Sequence, residues 1–254
     1  MPLSFSPLPG RSQRVSSAPT VLFVVAHPDD ESLFFAPTIL AFKQAGMRVC
    51  LCCLSNGNAA GLGPRRALEL KAACRFWQID KYVIIDAPGL QDGLNTKWDA
   101  ALIAEHIARQ VSAWAASTVV SFDAGGVSGH PNHCAIYKGL LHYQMKLHAA
   151  ASPGPAIWTL VTTGMLRKFS SLCDLPLSLV ESRGRQDIVC YISLRPWKGV
   201  CAMVCHWSQL VWFRWLFILF SRYTFVNTLR RLRSLQKRQP RMKHNSRANL
   251  LLPG

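Results

Sequence analysis

An unbroken apolar run, Val21–Val25, leads directly into Ala26, His27, Pro28, Asp29, Asp30 and Glu31. A short run with no alternating polar positions reads as a strand covered on both faces, the condition of a parallel sheet flanked by helices. Sheets of that kind bind ligands outside the carboxyl ends of their strands. One imidazole and three carboxylates at such an end are not explained by packing, because unpaired charge beside a core is costly. A bound cation would compensate them. His27 and Asp30 stand three residues apart, so on a tight turn an imidazole nitrogen and a carboxylate oxygen converge on one ion. Asp29 and Glu31 are left for other work.

The rest of the chain continues the alternation. Ser32–Gln44 has helical spacing and ends at Gly46; Arg48–Leu54 is a second apolar strand. Pro64 opens a helix to about Trp77, proline being favoured in a first turn. Tyr82–Ile85 reads as a strand ending at Asp86, Trp98–Trp114 as a helix, and Thr118–Phe122 as a strand ending at Asp123. Glycines at 125, 126 and 129 precede His130-Pro131-Asn132-His133, which opens a helix to about His148. Ala156–Val161 and Ile188–Ile192 read as later strands. The expected class is α/β: a Rossmann-like, mainly parallel sheet with right-handed crossovers and helices on both faces.

Strand ends in such a sheet share one rim, which gathers His27, Asp29, Asp30, Asp86, Asp123, His130 and His133 around one crevice. His27, Asp30 and one of the two later histidines form a two-histidine, one-carboxylate set, the pattern of a hydrolytic zinc centre with open positions. Asp29 is placed to take a proton from water, and the remaining histidine to stabilise an oxyanion or protonate a leaving amine. Asp86 and Asp123 equally suit strand-end caps. Arg66 and Glu69, three apart on one helix, read as an ordinary surface pair.

Charge is unevenly placed. Residues 1–187 carry 17 Lys and Arg against 13 Asp and Glu, whereas no acid follows Asp187 and 12 Lys and Arg do. A basic block suits phosphate or an anionic membrane surface; no nucleic-acid-binding motif accompanies it, so nucleic acid is not an expected partner. Within it, Trp207–Phe225 is apolar and aromatic but interrupted by Arg214 and Arg222, and too short between charges for the ~20 residues of a bilayer span. On a helical wheel Arg214, Ser221 and Arg222 share one wedge, which predicts an interfacial helix; a buried helix with snorkelling arginines is the alternative. Nine cysteines, an odd count without a preceding signal peptide, argue against a disulfide framework and for a reducing compartment. Cys201, Cys205 and His206 lack further ligands at zinc spacing. The expected division is 1–19 as a disordered N-terminus, 20–195 as the catalytic core, 196–226 as an apolar membrane-interface region and 227–254 as a basic tail.

At its ionisable motifs the chain resembles the LmbE-like zinc deacetylases, through Val24–Glu31 and through Gly129-His130-Pro131-Asn132-His133. The resemblance runs from about Thr20 to Asn227 and includes Phe34–Thr38, Phe122–His130 and Asp174–Leu179. It also includes Cys205–Arg214 and Phe217–Tyr223, which lie outside the metal motif and are similar to the branch acting on N-acetylglucosaminyl-phosphatidylinositol in GPI-anchor synthesis. Carried over by position, it implies His27, Asp30 and His133 as ligands of Zn2+, Asp29 as general base, and His130 as the oxyanion-stabilising or proton-donating group. It further implies a glycolipid substrate and a place on the cytoplasmic face of the endoplasmic reticulum membrane. Animal members have an N-terminal transmembrane helix; Met1–Thr20 is instead polar and proline-rich, so attachment is expected from the C-terminal quarter. The rival expectations are a soluble deacetylase of N-acetylglucosaminyl conjugates and a non-catalytic subunit of a GPI-synthesis complex.

Overall fold

The computed structural model describes residues 18–233, so the readings of a disordered N-terminus and of most of the basic tail fall outside the described residues. Along the chain run β1 (Thr20–Val25), α1 (Asp30–Phe34), α2 (Ala36–Gln44), β2 (Arg48–Cys53), α3 (Gly63–Trp77), β3 (Lys81–Ile84), α4 (Ala100–Trp114) and β4 (Thr118–Phe122). There follow α5 (Gly126–Gly129), α6 (Pro131–Ala149), β5 (Ala156–Leu160), α7 (Met165–Lys168), α8 (Leu175–Ser182), β6 (Ile188–Ile192), α9 (Pro196–Cys205), α10 (Trp212–Phe220) and β7 (Val226–Arg231).

The strands form one sheet in the order β3-β2-β1-β4-β5-β7-β6. β1 pairs in parallel with β2 on one side and β4 on the other, so the chain reverses its direction of travel across the sheet between them. That switch point is where an open α/β sheet leaves a crevice. α4 and α6 pack together against β1 and β4, while α2, α9 and α3 pack on the opposite side. Val21–Ala26 are wholly buried between these layers, as the apolar run requires.

Three sequence expectations change. Ser32–Gln44 is not one helix: it breaks at Phe35 (φ −113°, ψ 5°). Pro37 has no N–H to give to Leu33, and the Thr38 N–H turns to Asn227 Oδ1 at 3.2 Å, so the carbonyl of Phe34 accepts instead from Asn227 Nδ2 at 2.9 Å. The division at 195 and 226 does not follow the sheet either. β7 lies antiparallel between β5 and β6, and within the supposed tail Arg230 meets Glu181 and Arg233 meets Asp187.

Finally, Trp207–Phe225 is not one helix with an outward polar wedge. α10 covers only Trp212–Phe220, and short 3₁₀ turns flank it. Ser221 and Arg222 are fully buried; Arg222 Nε stands 3.0 Å from Asp174 Oδ2, and its Nη2 donates to Ser178 and Thr228. The charges turn inward because buried partners hold them. All nine cysteines are unbridged.

Candidate active site

β1 delivers His27 to the switch point, and the chain then turns sharply. Asp29 adopts φ 114°, a region that costs a non-glycine residue on the order of 1–3 kcal/mol. The turn is braced on every side. Glu31 Oε2 accepts the Asp29 N–H at 3.2 Å, the Asp29 carbonyl accepts from Ser32 and Leu33, and Arg66 Nη2 donates to Pro28 O at 2.7 Å. Asp30 Oδ2 accepts from the backbone N–H of Ala26 and of His27, which fixes its carboxylate against the end of the strand.

The second motif arrives from β4. Gly126 has φ +54°, and a Cβ there would stand 2.7 Å from the Cβ of His133, so only glycine allows α5 to lie against α6. Its carbonyl faces His133 Nδ1 at 3.0 Å, which directs Nε2 toward Asp30 Oδ1 at 3.2 Å. The ring is stacked on Phe122, with centroids 4.1 Å apart and planes 1° from parallel. His130 caps α6: its Nδ1 accepts from Asn132 N at 3.3 Å, leaving Nε2 to carry the proton and face the cavity.

The switch point therefore brings His27, Asp29, Asp30, His130 and His133 together, all lining one cavity of about 670 Å³. Ligand atoms of His27, His130 and His133 lie within 4.8 Å of one another. Asp30 joins them through Oδ1 beside His133 and Oδ2 at 3.9 Å from His27 Nδ1. The donor set fits a divalent metal: it is imidazole nitrogen with carboxylate oxygen, and buried His133 Nε2 has no aligned hydrogen-bond partner. Spacing alone leaves open which later histidine is a ligand, and the family resemblance implies His133. His133 is buried and held on its outer nitrogen by a backbone carbonyl, the usual support of a ligating imidazole, whereas His130 is partly exposed.

Electrostatics follow from burial and neighbours. Burial alone would raise the Asp30 carboxyl, but the charges of His133 and His27, with the His27 backbone N–H, hold it well below the usual carboxylate range. Burial and the two neighbouring imidazoles push His130 down to about 4, so it is a neutral donor at physiological pH.

Residues to which the sequence reading gave no role in the site complete it. Asp92, in the loop after β3, lies 3.0 Å from His27 Nε2, and Asn132 Nδ2 lies at the same distance. Arg66 is no surface pair: it is buried, and besides Pro28 it reaches Gly57 O, Asp92 and Asp29 Oδ1. Glu69 accepts from Ser208 N and Oγ. Arg214 comes from α10 to within 2.9 Å of Asp29 Oδ2. Asp92 lies in no motif of the sequence, and Asn132 and Arg214 lie in motifs read for other residues; each reaches His27 or Asp29 from far along the chain. Asp86 and Asp123 are not cavity residues. Asp86 binds Asn56, and Asp123 accepts from Gly125, Gly126 and Thr162, the capping roles that were the alternative.

The cavity has two sides. Its floor carries the ionisable groups, and its wall is formed by Phe34, Phe169, Trp212, Phe213, Leu216, Phe217 and Phe220.

Residues 22–144 match the family described as PIG-L: GlcNAc-PI de-N-acetylase. A protein of Schizosaccharomyces pombe named a probable N-acetylglucosaminyl-phosphatidylinositol de-N-acetylase is 43% identical over 220 residues, covering 84% of this chain and 86% of that one. The Bos taurus N-acetylglucosaminyl-phosphatidylinositol de-N-acetylase is 38% identical over 225 residues, covering 87% and 85%. Among solved structures, an N,N'-diacetylchitobiose deacetylase from Pyrococcus horikoshii superposes with a TM-score of 0.62 at 16% identity, covering 86% of this chain and 85% of that one. A 4-carboxy-2-hydroxymuconate hydratase from Pseudomonas putida reaches 0.58 at 13% identity over 85% and 96%, so the fold by itself does not choose the reaction. Identity of this extent with whole relatives does choose the family: the chain belongs to the PIG-L, or GlcNAc-PI de-N-acetylase, family.

Proposed function

We propose that this protein hydrolyses the acetamide of N-acetylglucosaminyl-phosphatidylinositol, giving glucosaminyl-phosphatidylinositol and acetate, the second step of GPI-anchor synthesis. The observation that carries the reading is the two-sided cavity: an acid, base and ligand floor sized for a sugar lies against an aromatic wall suited to the lipid end. The names of relatives similar over most of their length supply the substrate class.

His27, Asp30 and His133 would hold the metal, with zinc the best match to this donor set. When bound, it supplies Lewis-acid polarisation of the acetamide carbonyl and acidifies the attacking water. Asp29 takes the proton of that water as the oxygen bonds to the carbonyl carbon. His130 Nε2–H donates to the carbonyl oxygen as negative charge develops there, a role that its neutral state favours over proton donation. The proton on Asp29 then passes to the departing nitrogen as the C–N bond breaks, and with the second proton of the water lost from the new carboxyl to the amine, acetate and the protonated amino sugar leave.

Substrate of this kind lies in a membrane, and docking on the membrane surface is part of the proposal. No helix among the described residues is long and apolar enough to cross one. Support comes instead from α10 and α7, where Trp212 is 75% and Leu166 92% exposed beside Met165, Phe213, Leu219 and Phe220. Exposed apolar patches rimmed by basic residues suit an interface with anionic lipid. The cytoplasmic face of the endoplasmic reticulum is the membrane we propose, on the basis of the substrate and the basic C-terminal quarter.

The deciding experiment is acetate release by metal-loaded protein from N-acetylglucosaminyl-phosphatidylinositol beside free N-acetylglucosamine. Activity confined to the lipid upholds the assignment. Equal activity on the free sugar keeps the chemistry and discards the substrate.

A further inference from the structure

Arg214 is a charged cavity residue for which the hydrolysis just described has no use. Its guanidinium starts from α10, on the aromatic wall, and crosses to the polar floor, where Nη1 sits 2.9 Å from Asp29 Oδ2. That oxygen accepts no aligned hydrogen bond, so charge alone holds the contact. While the guanidinium stays there, the same oxygen is not open to a water molecule.

The cavity has one other cation among the described residues, Arg66, and the two differ in how firmly they are held. Arg66 is buried, with its guanidinium committed to Pro28 O, Gly57 O, Asp92 and the other oxygen of Asp29, Oδ1. Arg214 keeps a side chain that is 25% exposed, and Asp29 is its only ion-pair partner among the described residues. Arg66 is fixed, and Arg214 is free to exchange its anion.

The substrate orders its parts as sugar, inositol, phosphodiester and acyl chains. In the cavity Arg214 links the two kinds of lining, starting from α10 among the aromatic side chains and ending on Asp29 among the ionisable ones. A monoanion at the border between polar and apolar parts meets a guanidinium at the matching border, and arginine suits phosphate because its planar fork donates two parallel hydrogen bonds. We propose that Arg214 is the specificity residue that reads the phosphodiester of the substrate, and that in its absence Arg214 rests on Asp29. Binding of the anionic glycolipid then draws the guanidinium off the base, so that Asp29 opens to water when the correct substrate is in place. The inference rests on the deacetylase reading above and adds a determinant of its specificity.

The test uses two water-soluble substrates, dihexanoyl N-acetylglucosaminyl-phosphatidylinositol and phosphate-free N-acetylglucosaminyl-inositol, with wild-type protein, Arg214→Met and Arg214→Lys. For Arg214→Met the ratio of kcat/KM on the phosphodiester to that on the phosphate-free substrate falls roughly ten- to a hundredfold, mainly through KM. Arg214→Lys recovers part of the ratio, since it keeps the charge and loses the fork. Metal-free Arg214→Met binds dihexanoyl phosphatidylinositol about tenfold or more weakly than metal-free wild type by calorimetry. An equal loss on both substrates, or an unchanged ratio in both variants, overturns the proposal. Wild-type protein inactive on both substrates would instead overturn the parent reading. Wild-type preference for the phosphate-free substrate would overturn the Arg214 assignment alone.

Discussion

Glu31 Oε1 and His206 Nε2 lie 2.7 Å apart with both side chains fully buried, joining the turn after β1 to the end of α9. The same carboxylate accepts from Ser32 Oγ, which accepts in turn from Trp77 Nε1, and its other oxygen holds the strained Asp29 N–H. The pair thus acts on the catalytic turn without touching the cavity. Burial alone would raise the Glu31 carboxyl and lower the His206 imidazole; their mutual charge and hydrogen bond reverse both shifts.

His206→Gln therefore leaves a buried carboxylate without its cation, a loss on the order of 3–5 kcal/mol, and lowers Tm by roughly 10 °C. The pH dependence has two limbs. The depressed Glu31 value gives stability that is full above 4.5 and lost as pH falls through the folded value. The raised His206 value gives stability that is full below 6.5 and lost as pH rises through the folded value. Melting scans from pH 4 to 9 should show the Tm gap between wild type and variant widest between those limits; a gap independent of pH would mean that the pair is not ionised.

Asp29→Asn keeps the size of the side chain and removes the proton acceptor. It should retain metal and lose about 10²–10⁴-fold in kcat. Turnover with metal content measured on the same preparation checks this, and wild-type turnover would remove Asp29 from the mechanism.

His133→Ala removes a buried imidazole whose free nitrogen faces Asp30. Elemental analysis after dialysis should find the metal lost from this variant and retained in His130→Gln, whose kcat falls about 10²–10³-fold. Full metal in His133→Ala would displace it from the ligand set.

Because His130 is pushed down to about 4, it stays neutral from pH 5 to 8. The kcat/KM profiles of wild type and His130→Gln should then have the same shape across that range and differ only in height. A limb near pH 6.5 present only in wild type would assign His130 a proton-transfer role.

Leu166→Asp and Leu219→Asp place charge on exposed apolar positions outside the cavity lining. Together they should reduce cosedimentation with phosphatidylinositol-containing vesicles at least tenfold. Unchanged cosedimentation would move the docking surface elsewhere.

Local pattern was enough for β1, β2 and β4 and for α3 and α6, because a buried strand has to be apolar throughout and a helix shows its period in any short window. The pairing of Val24–Glu31 with Gly129–His133 was legible for a related reason: both follow strands that meet at the switch point, so two local motifs and one topology put them together. What local pattern misjudged were the places where charge is decided by a distant partner. Arg222 reads as the polar wedge of a surface helix, and Asp174 makes it a core residue. Arg66 reads as half of a surface pair, and the Pro28–Asp29 turn makes it part of the site. Asn227–Arg231 reads as the start of a basic tail, and the open edges of β5 and β6 make it part of a strand.

The sequence by itself determined the α/β class, the strand that carries His27, Asp29 and Asp30, and the chemistry those side chains share with His130 and His133. Apolar periodicity and ligand type are properties of a few neighbouring residues, so they are written locally. Only the tertiary structure decided that Asp92 and Asn132 hold His27, that Glu31 and His206 brace Asp29, and that α10 turns Arg214 inward while exposing its aromatic face. Each of these depends on which residues far apart in the chain meet in a low-dielectric interior, where an unpaired charge is costly and a paired one is held.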